Sequence, residues 1–157
     1  MKVQKTIVEK ILDQKKIPYE SYTYPADGFS DGVTVAGYIG KPAEQVFKTL
    51  VCTGSGGVHV FVIPVARELD LKKAAKVSGQ KYAEMLHQKD LLPTTGYIKG
   101  GCSPIGMKKL YPTYIDKSCE NFDSIIFSAG KIGKQVQVKV SDLISLTKAK
   151  TEFICKE

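Results

Sequence analysis

A lysine set inside an apolar strand and a run of glycines are the residues of this 157-residue chain best suited to chemistry. The lysine is Lys48, within Val46-Phe-Lys-Thr-Leu-Val51, where strand alternation puts it on one face with Val46 and Leu50. A lysine so placed either snorkels to a sheet edge or reaches into a cleft. The glycines belong to Gly96-Tyr-Ile-Lys-Gly-Gly-Cys-Ser-Pro-Ile-Gly106. Successive glycines let backbone N–H groups converge on an anion or a developing oxyanion without Cβ obstruction; the alternative for Gly100-Gly101 taken alone is an ordinary turn. Stronger catalytic sets are missing: the chain holds no G-x-S-x-G, no H-E-x-x-H and no G-x-x-x-x-G-K-[ST]. Its two histidines are His59, inside an apolar strand, and His87, after a strand end, and both read as structural. An enzyme with this sequence lacks a strong side-chain nucleophile and general base.

Metal chemistry fares no better. Cys52, Cys102, Cys119 and Cys155 form no C-x-x-C pair and, with two histidines, have no zinc-ligand spacing, so neither a metal nor another cofactor is expected. Reduced thiols point to a cytoplasmic protein. The net charge is +7, and Arg67 is the single arginine among 23 basic residues. A lysine surface suits sequence-independent contact with phosphates better than base readout, or is simply a solvated face. The basic residues are spread over both halves of the chain, with no basic tail. The most apolar run, His59-Val-Phe-Val-Ile-Pro-Val-Ala66, is too short to span a bilayer, and residues 1–12 carry no signal-peptide core.

The elements that must position these residues are short. Val3, Ile7, Val8, Ile11 and Leu12 share a face at helical spacing, and Pro18 marks the end of that helix. Tyr19–Tyr24 reads as a strand, Gly28–Gly32 as a turn-rich loop, and Val33–Ile39 as a helix stopped by Gly40 and Pro42. Val46–Thr53 and Val58–Val65 form a hairpin about Gly54-Ser-Gly-Gly57. Asp70 is an N-cap for Leu71–Ser78, which closes on Gly79, and another short strand and helix precede Gly96. Strands recur at Thr113–Asp116, Ser124–Phe127 and Val136–Val140, and Ser141 is the expected cap of a last helix through Thr147. Short strands mixed with short helices, without regular βαβ alternation, predict one α+β domain over residues 1–157 with a mixed or barrel-like sheet.

Several stretches resemble, in order, the YbaK/EbsC family of Cys-tRNA(Pro) deacylases. They are Gln45-Val-Phe-Lys-Thr-Leu50, Leu69-Asp-Leu-Lys-Lys-Ala-Ala-Lys76, Thr95-Gly-Tyr-Ile-Lys-Gly-Gly-Cys-Ser-Pro-Ile-Gly106 with Lys108-Lys109, Pro112-Thr-Tyr-Ile-Asp116, and Phe127-Ser-Ala-Gly-Lys131. The resemblance implies a mixed, barrel-like sheet flanked by short helices, shared with the editing domain inserted in bacterial prolyl-tRNA synthetases. It implies a trans-acting deacylase of mischarged Cys-tRNA(Pro), with prolyl-tRNA synthetase as partner and neither DNA nor membrane contact. By position, Lys48 matches the family's essential lysine, Gly100 and Gly101 the loop holding the substrate carbonyl, Ser128 the serine at the next strand end, and Tyr24 a pocket tyrosine. Ser30, Thr49, Tyr97, Ser103 and Lys131 complete the candidate substrate-binding set. Two positions depart from the family pattern: Ile132 stands where an arginine is usual, and Gln135 where an aspartate is common. The implied chemistry needs no protein nucleophile, because the substrate's own thiol attacks its ester; Cys102 is then a bystander. Rival readings are hydrolysis of Ala- or Ser-tRNA by water, and a non-catalytic tRNA- or synthetase-binding module.

Overall fold

The computed structural model describes residues 4–26 and 31–157. Helix α1 is Ile7–Gln14, and its start is set by a capping box. Thr6 Oγ1 accepts from the Glu9 N–H at 3.1 Å, while the Glu9 carboxylate accepts from the Thr6 N–H at 2.9 Å. The helix therefore begins later than the apolar spacing alone suggests, and it buries Val8 and Leu12. Strand β1, Tyr19–Thr23, leads to helix α2, Gly32–Ile39, which is capped by the Asp31 carboxylate and ends on Gly40.

The hairpin falls where the turn residues place it. Strand β2, Phe47–Gly54, pairs antiparallel with β3, Gly57–Pro64, from Phe47 opposite Pro64 to Gly54 opposite Gly57. Asp70 caps α3, Leu71–Val77, by accepting from the N–H groups of Lys72 and Lys73. Next come β4, Ala83–Met85, and α4, Gln88–Thr95. Beyond the glycine loop lie β5, Thr113–Asp116, β6, Ser124–Ser128, and β7, Lys134–Lys139. Helix α5, Val140–Thr147, follows β7 directly. Its cap position is Lys139, not the expected Ser141, and no side chain caps it. The reason is that β7 stays paired through Lys139, opposite Ser124, and the Val140 N–H then donates to Asp123 O, starting the helix one residue before Ser141 can cap it. A last strand, β8, Lys150–Glu152, has no counterpart in the sequence reading.

The strands form two sheets. One is antiparallel, in the order β1-β7-β6; the other is mixed, β4-β2-β3-β5-β8, with β5 parallel to both β3 and β8. A single parallel bridge between Val46 and Ile126 joins them, and they do not close into a barrel. The main core lies between them: Val8 and Leu12 of α1, Phe47 and Val51 of β2, Phe127 of β6 and Val136 of β7 pack together. A second cluster, including Phe61, Ile63, Ala74 and Ile154, covers the other face of the mixed sheet. Each such side chain contributes about 1.5–3 kcal/mol by leaving water, so the two sheets are held by apolar packing more than by their one bridge.

A buried ion pair ties α1 to the antiparallel sheet. The Glu9 carboxylate takes hydrogen bonds from Ser21 Oγ at 2.6 Å and from Lys134 Nζ at 3.1 Å. Burial pushes the Glu9 carboxyl upward, but the bonds from Ser21, the Thr6 N–H and Lys134 outweigh it and bring its pKa from 4.5 to about 2.

Candidate functional site

Strand β2 changes neighbours along its length, and a cavity opens where it does so. The Val46 C=O accepts from Val65 N, toward β3, whereas the Val51 C=O accepts from Leu86 N on the opposite side. Alternation then turns the N–H and C=O of Thr49 away from β3 as well. On that side β6 is bridged only to Val46, just before β2, and β4 pairs only with Cys52–Gly54, so Thr49 faces a gap in the backbone pairing between two strands. The gap holds a cavity of about 440 Å³, within the size range of small-molecule sites.

Its lining takes Asp31, Gly32 and Val35 from the start of α2, Lys99, Gly100 and Cys102 from the glycine loop, and Leu86 and Leu91 from around α4. Ser128 and Gln135, opposite each other on β6 and β7, close the end. Lys48 also lines the cavity. Lys48 and Ser128 each stand two residues beyond the bridged Val46 and Ile126, on the same face of their strands as those residues.

The residues singled out in the sequence divide into three groups. Tyr24, Lys48, Thr49, Gly100 and Ser128 line the cavity. Gly101, Tyr97 and Ser103 stand behind it and shape the loop. The Gly101 N–H donates to Ile98 O at 3.0 Å, so it closes the turn, and of the two glycines Gly100 is the one that lines the cavity. Gly100 holds φ at 88°, a left-handed conformation that favours glycine. A Cβ on Gly101 would lie 3.2 Å from the Ile132 amide nitrogen, so the loop rests against the β6–β7 turn. Tyr97, 5% exposed, donates its hydroxyl to Ile105 O, and the wholly buried Ser103 hydroxyl accepts from Ile105 N at 3.4 Å. Lys131 is exposed in the β6–β7 turn, where its C=O accepts from Lys134 N. Ser30 lies outside the described residues.

The cavity offers donors and no activated nucleophile. Lys48 and Lys99 are the lysines in its lining. Ser128 Oγ accepts from Gly130 N at 3.1 Å, which orients its hydroxyl and leaves the proton available. Burial pushes the Cys102 thiol up to about 12, against a smaller opposite effect from Thr95, so it is a protonated, inert thiol at neutral pH. The other three cysteines are free and buried, with pKa values raised by burial to about 11 for Cys52 and Cys119 and about 12 for Cys155. His59 is buried against Tyr114 with Nδ1 3.2 Å from Gly57 O, and neither it nor His87 reaches the cavity. Among the described residues no three His, Cys, Asp or Glu side chains converge as a metal site. Two polar atoms in the wall, Thr49 Oγ1 and Gln135 Oε1, are buried without a hydrogen-bond partner among the described residues. Sequence reasoning did not anticipate the α2 wall or Leu86 and Leu91, because nothing in their spacing says that they face a shared hollow.

A cavity of this size, with two lysines, a glycine loop and a serine in its lining, suits a ligand that carries anionic or carbonyl groups. The chain belongs to the aminoacyl-tRNA editing domain family, which it matches over residues 30–146. It is 46% identical over 157 residues to EbsC of Enterococcus faecalis, covering 98% of this chain and 96% of that protein, whose name gives it as a candidate Cys-tRNA(Pro)/Cys-tRNA(Cys) deacylase. Over 90 residues it is 28% identical to the proline–tRNA ligase of Fervidobacterium nodosum, covering 56% of this chain and 16% of the ligase. The fold matches, with a TM-score of 0.86 and 21% identity, the crystal structure of a candidate trans-editing enzyme for prolyl-tRNA synthetase, covering 96% of this chain and 95% of that one. No helix among the described residues is long and apolar enough to cross a membrane.

Proposed function

We propose that this protein is a trans-acting deacylase that removes cysteine from mischarged tRNA(Pro), and from tRNA(Cys) when it meets that substrate. The observation that carries the reading is the donor-lined cavity without a nucleophile. It is supported by the near full-length likeness to EbsC. In this reading the Lys48 ammonium holds the terminal phosphate, the Gly100 N–H holds the ester carbonyl, and the Ser128 hydroxyl assists. Thr49 and Tyr24 face the bound ester. Gly101, Tyr97 and Ser103 serve by keeping the loop in place.

The substrate's cysteine supplies the attack. Its sulfur bonds to the ester carbonyl carbon, the carbonyl oxygen takes the electron pair, and the Gly100 amide stabilises that oxyanion. When the oxyanion collapses, the carbon–oxygen bond to the ribose breaks and the tRNA hydroxyl leaves with the proton the thiol gave up. A strained cyclic thioester departs and hydrolyses in water. The protein's share is proximity and electrostatics. The need for such a step is physical as well: cysteine is close to proline in size, and a synthetase pocket separates near-isosteres by only about 1–3 kcal/mol.

With one arginine, the chain has little means of direct base readout, so selection of tRNA(Pro) falls to prolyl-tRNA synthetase acting beside it. The likeness to part of a proline–tRNA ligase supports that partnership. The cytoplasm, where charged tRNA is made and thiols stay reduced, is the proposed compartment; the four free cysteines accord with it. Release of labelled amino acid from Cys-tRNA(Pro), Ser-tRNA and Pro-tRNA(Pro) at catalytic protein concentration tests the proposal. Cysteine should be released rapidly, serine far more slowly, and proline not at all. Equal release of serine would refute attack by the substrate thiol, and protection of every ester would leave a binding module instead.

A further inference from the structure

Strand β7 carries two glutamines on one face, and only one of them is occupied. Gln137 accepts from the Tyr22 hydroxyl at 2.6 Å and donates through Nε2 to Ser124 Oγ at 2.6 Å. Gln135, next on the same face, is 7% exposed, lines the cavity, and leaves Oε1 buried without a partner among the described residues. Buried polar groups are nearly always hydrogen-bonded, so an unmet acceptor in the wall of a cavity points to a donor on the molecule that enters.

The rest of the site narrows what that donor is. Lys48, Lys99 and the Gly100 N–H all donate, and the Ser128 oxygen already accepts from Gly130. Together they provide for the acceptors of an aminoacyl-adenosine, namely its phosphate and ester carbonyl. Asp31, also in the lining, is exposed, and its carboxylate caps α2 through the Thr34 N–H at 2.8 Å. Thr49 Oγ1, the other atom in the wall unpartnered among the described residues, can donate as well as accept, whereas Gln135 Oε1 only accepts, and the α-amino group is the donor left to meet it. Gln135 is directly opposite Ser128, whose hydroxyl assists at the ester in the proposed reaction, so Gln135 borders the place where the ester sits. The α-nitrogen is two bonds from the ester carbonyl carbon, close enough to reach the same wall.

We infer that Gln135 Oε1 accepts a hydrogen bond from the α-amino group of the esterified amino acid, and so selects free aminoacyl esters over deaminated or N-acylated ones. This rests on the proposal that the substrate is an aminoacyl ester. As a neutral amide, Gln135 serves the amine and the ammonium alike. An N-acylated ester, the chemistry of a growing peptide on tRNA, gives up a donor and adds bulk at that wall, so it is spared.

The test measures binding, so the reactivity of the thiol plays no part. Two uncleavable adenosines are titrated by calorimetry, one carrying cysteine and the other 3-mercaptopropionic acid, each through a 3′-amide. The wild-type protein should bind the cysteinyl compound at least about tenfold more tightly, the ratio expected when one buried acceptor loses its donor. Gln135→Met, with Gln135→Leu as a second variant, should bring the ratio to near one. Its thermal midpoint should hold or rise, because an unmet polar atom is removed. Equal affinities in the wild type, an unchanged ratio in the variant, or an equal loss of both compounds (contact with the adenine instead) would each overturn the inference. Failure of both variants to fold would make Gln135 a packing residue and overturn it too. If the wild type binds neither compound, the aminoacyl-ester reading itself fails, and the inference with it.

Discussion

Replacing Lys48 by methionine separates its place in the fold from its place in the site. Lys48 is half-buried on β2 opposite Ile63, and it takes part in none of the four ion pairs among the described residues, which join Lys5 to Asp13, Lys73 to Glu157, Lys134 to Glu9 and Lys156 to Glu68. Methionine keeps the apolar stem beside Val46 and Leu50 and removes only the charge. With no partner lost, stability should change by no more than about 0.5 kcal/mol, which is about 2 °C or less in thermal midpoint for a chain of this size. A charged hydrogen bond to a ligand phosphate is worth about 1.5–3 kcal/mol, so deacylation should fall by about 10- to 150-fold. Single-turnover release of labelled cysteine over a range of protein concentrations gives the loss. The same series at increasing salt should show a shallower dependence in the variant, because one phosphate contact is gone. Full activity in Lys48→Met would refute the phosphate role. A midpoint loss of more than about 6 °C would assign the lysine to the fold.

Two further predictions concern the frame around the site. Glu9 has its pKa lowered from 4.5 in an unfolded chain to about 2 in the fold, so its contribution is full above pH 4.5 and is lost as the pH falls from there through about 2. The ceiling on that contribution is roughly 3 kcal/mol; urea unfolding across this range should show it, and Glu9→Gln should flatten the acid dependence while lowering stability at neutral pH. Gly101→Ala places a Cβ 3.2 Å from the Ile132 amide nitrogen, where backbone cannot easily give. The loop should shift and carry the Gly100 N–H out of position, lowering kcat by up to about 10²–10³-fold with a smaller change in KM; an unchanged kcat would remove Gly100 from oxyanion stabilisation.

Much of the fold was legible because its signals are local. The β2–β3 hairpin declares itself through Gly54-Ser-Gly-Gly57 between β-branched runs, and Asp70 declares the start of α3 through its carboxylate. Strand β8 was not legible, since Lys150-Thr-Glu152 is short, polar and made a strand by the parallel pairing of its residues with Tyr114–Asp116. Ser141 looked like a cap for the same reason that caps usually work, a hydroxyl ahead of an apolar run. The pairing that keeps Lys139 in β7 is a tertiary fact and overrides it.

The site shows the same division more sharply. Residue types pointed to Lys48 and the glycine loop, which line one cavity, but not to which face of the loop meets the hollow. That depends on the Gly101 N–H turning inward to Ile98 and on Tyr97 and Ser103 fastening the far side to Ile105. Nor could spacing reveal that Thr49 faces a gap, because the gap exists only where β2 parts from β6 before it meets β4. The departure of two sheets from a single bridge creates the cavity, and the elements on either side fill it with donors. A chain without a catalytic base can therefore still serve as a catalyst, provided that the molecule it binds is already activated and brings its own nucleophile. Specificity in such a site falls to the few acceptors in its walls, which is why Gln135 matters more than any cysteine or histidine in the chain.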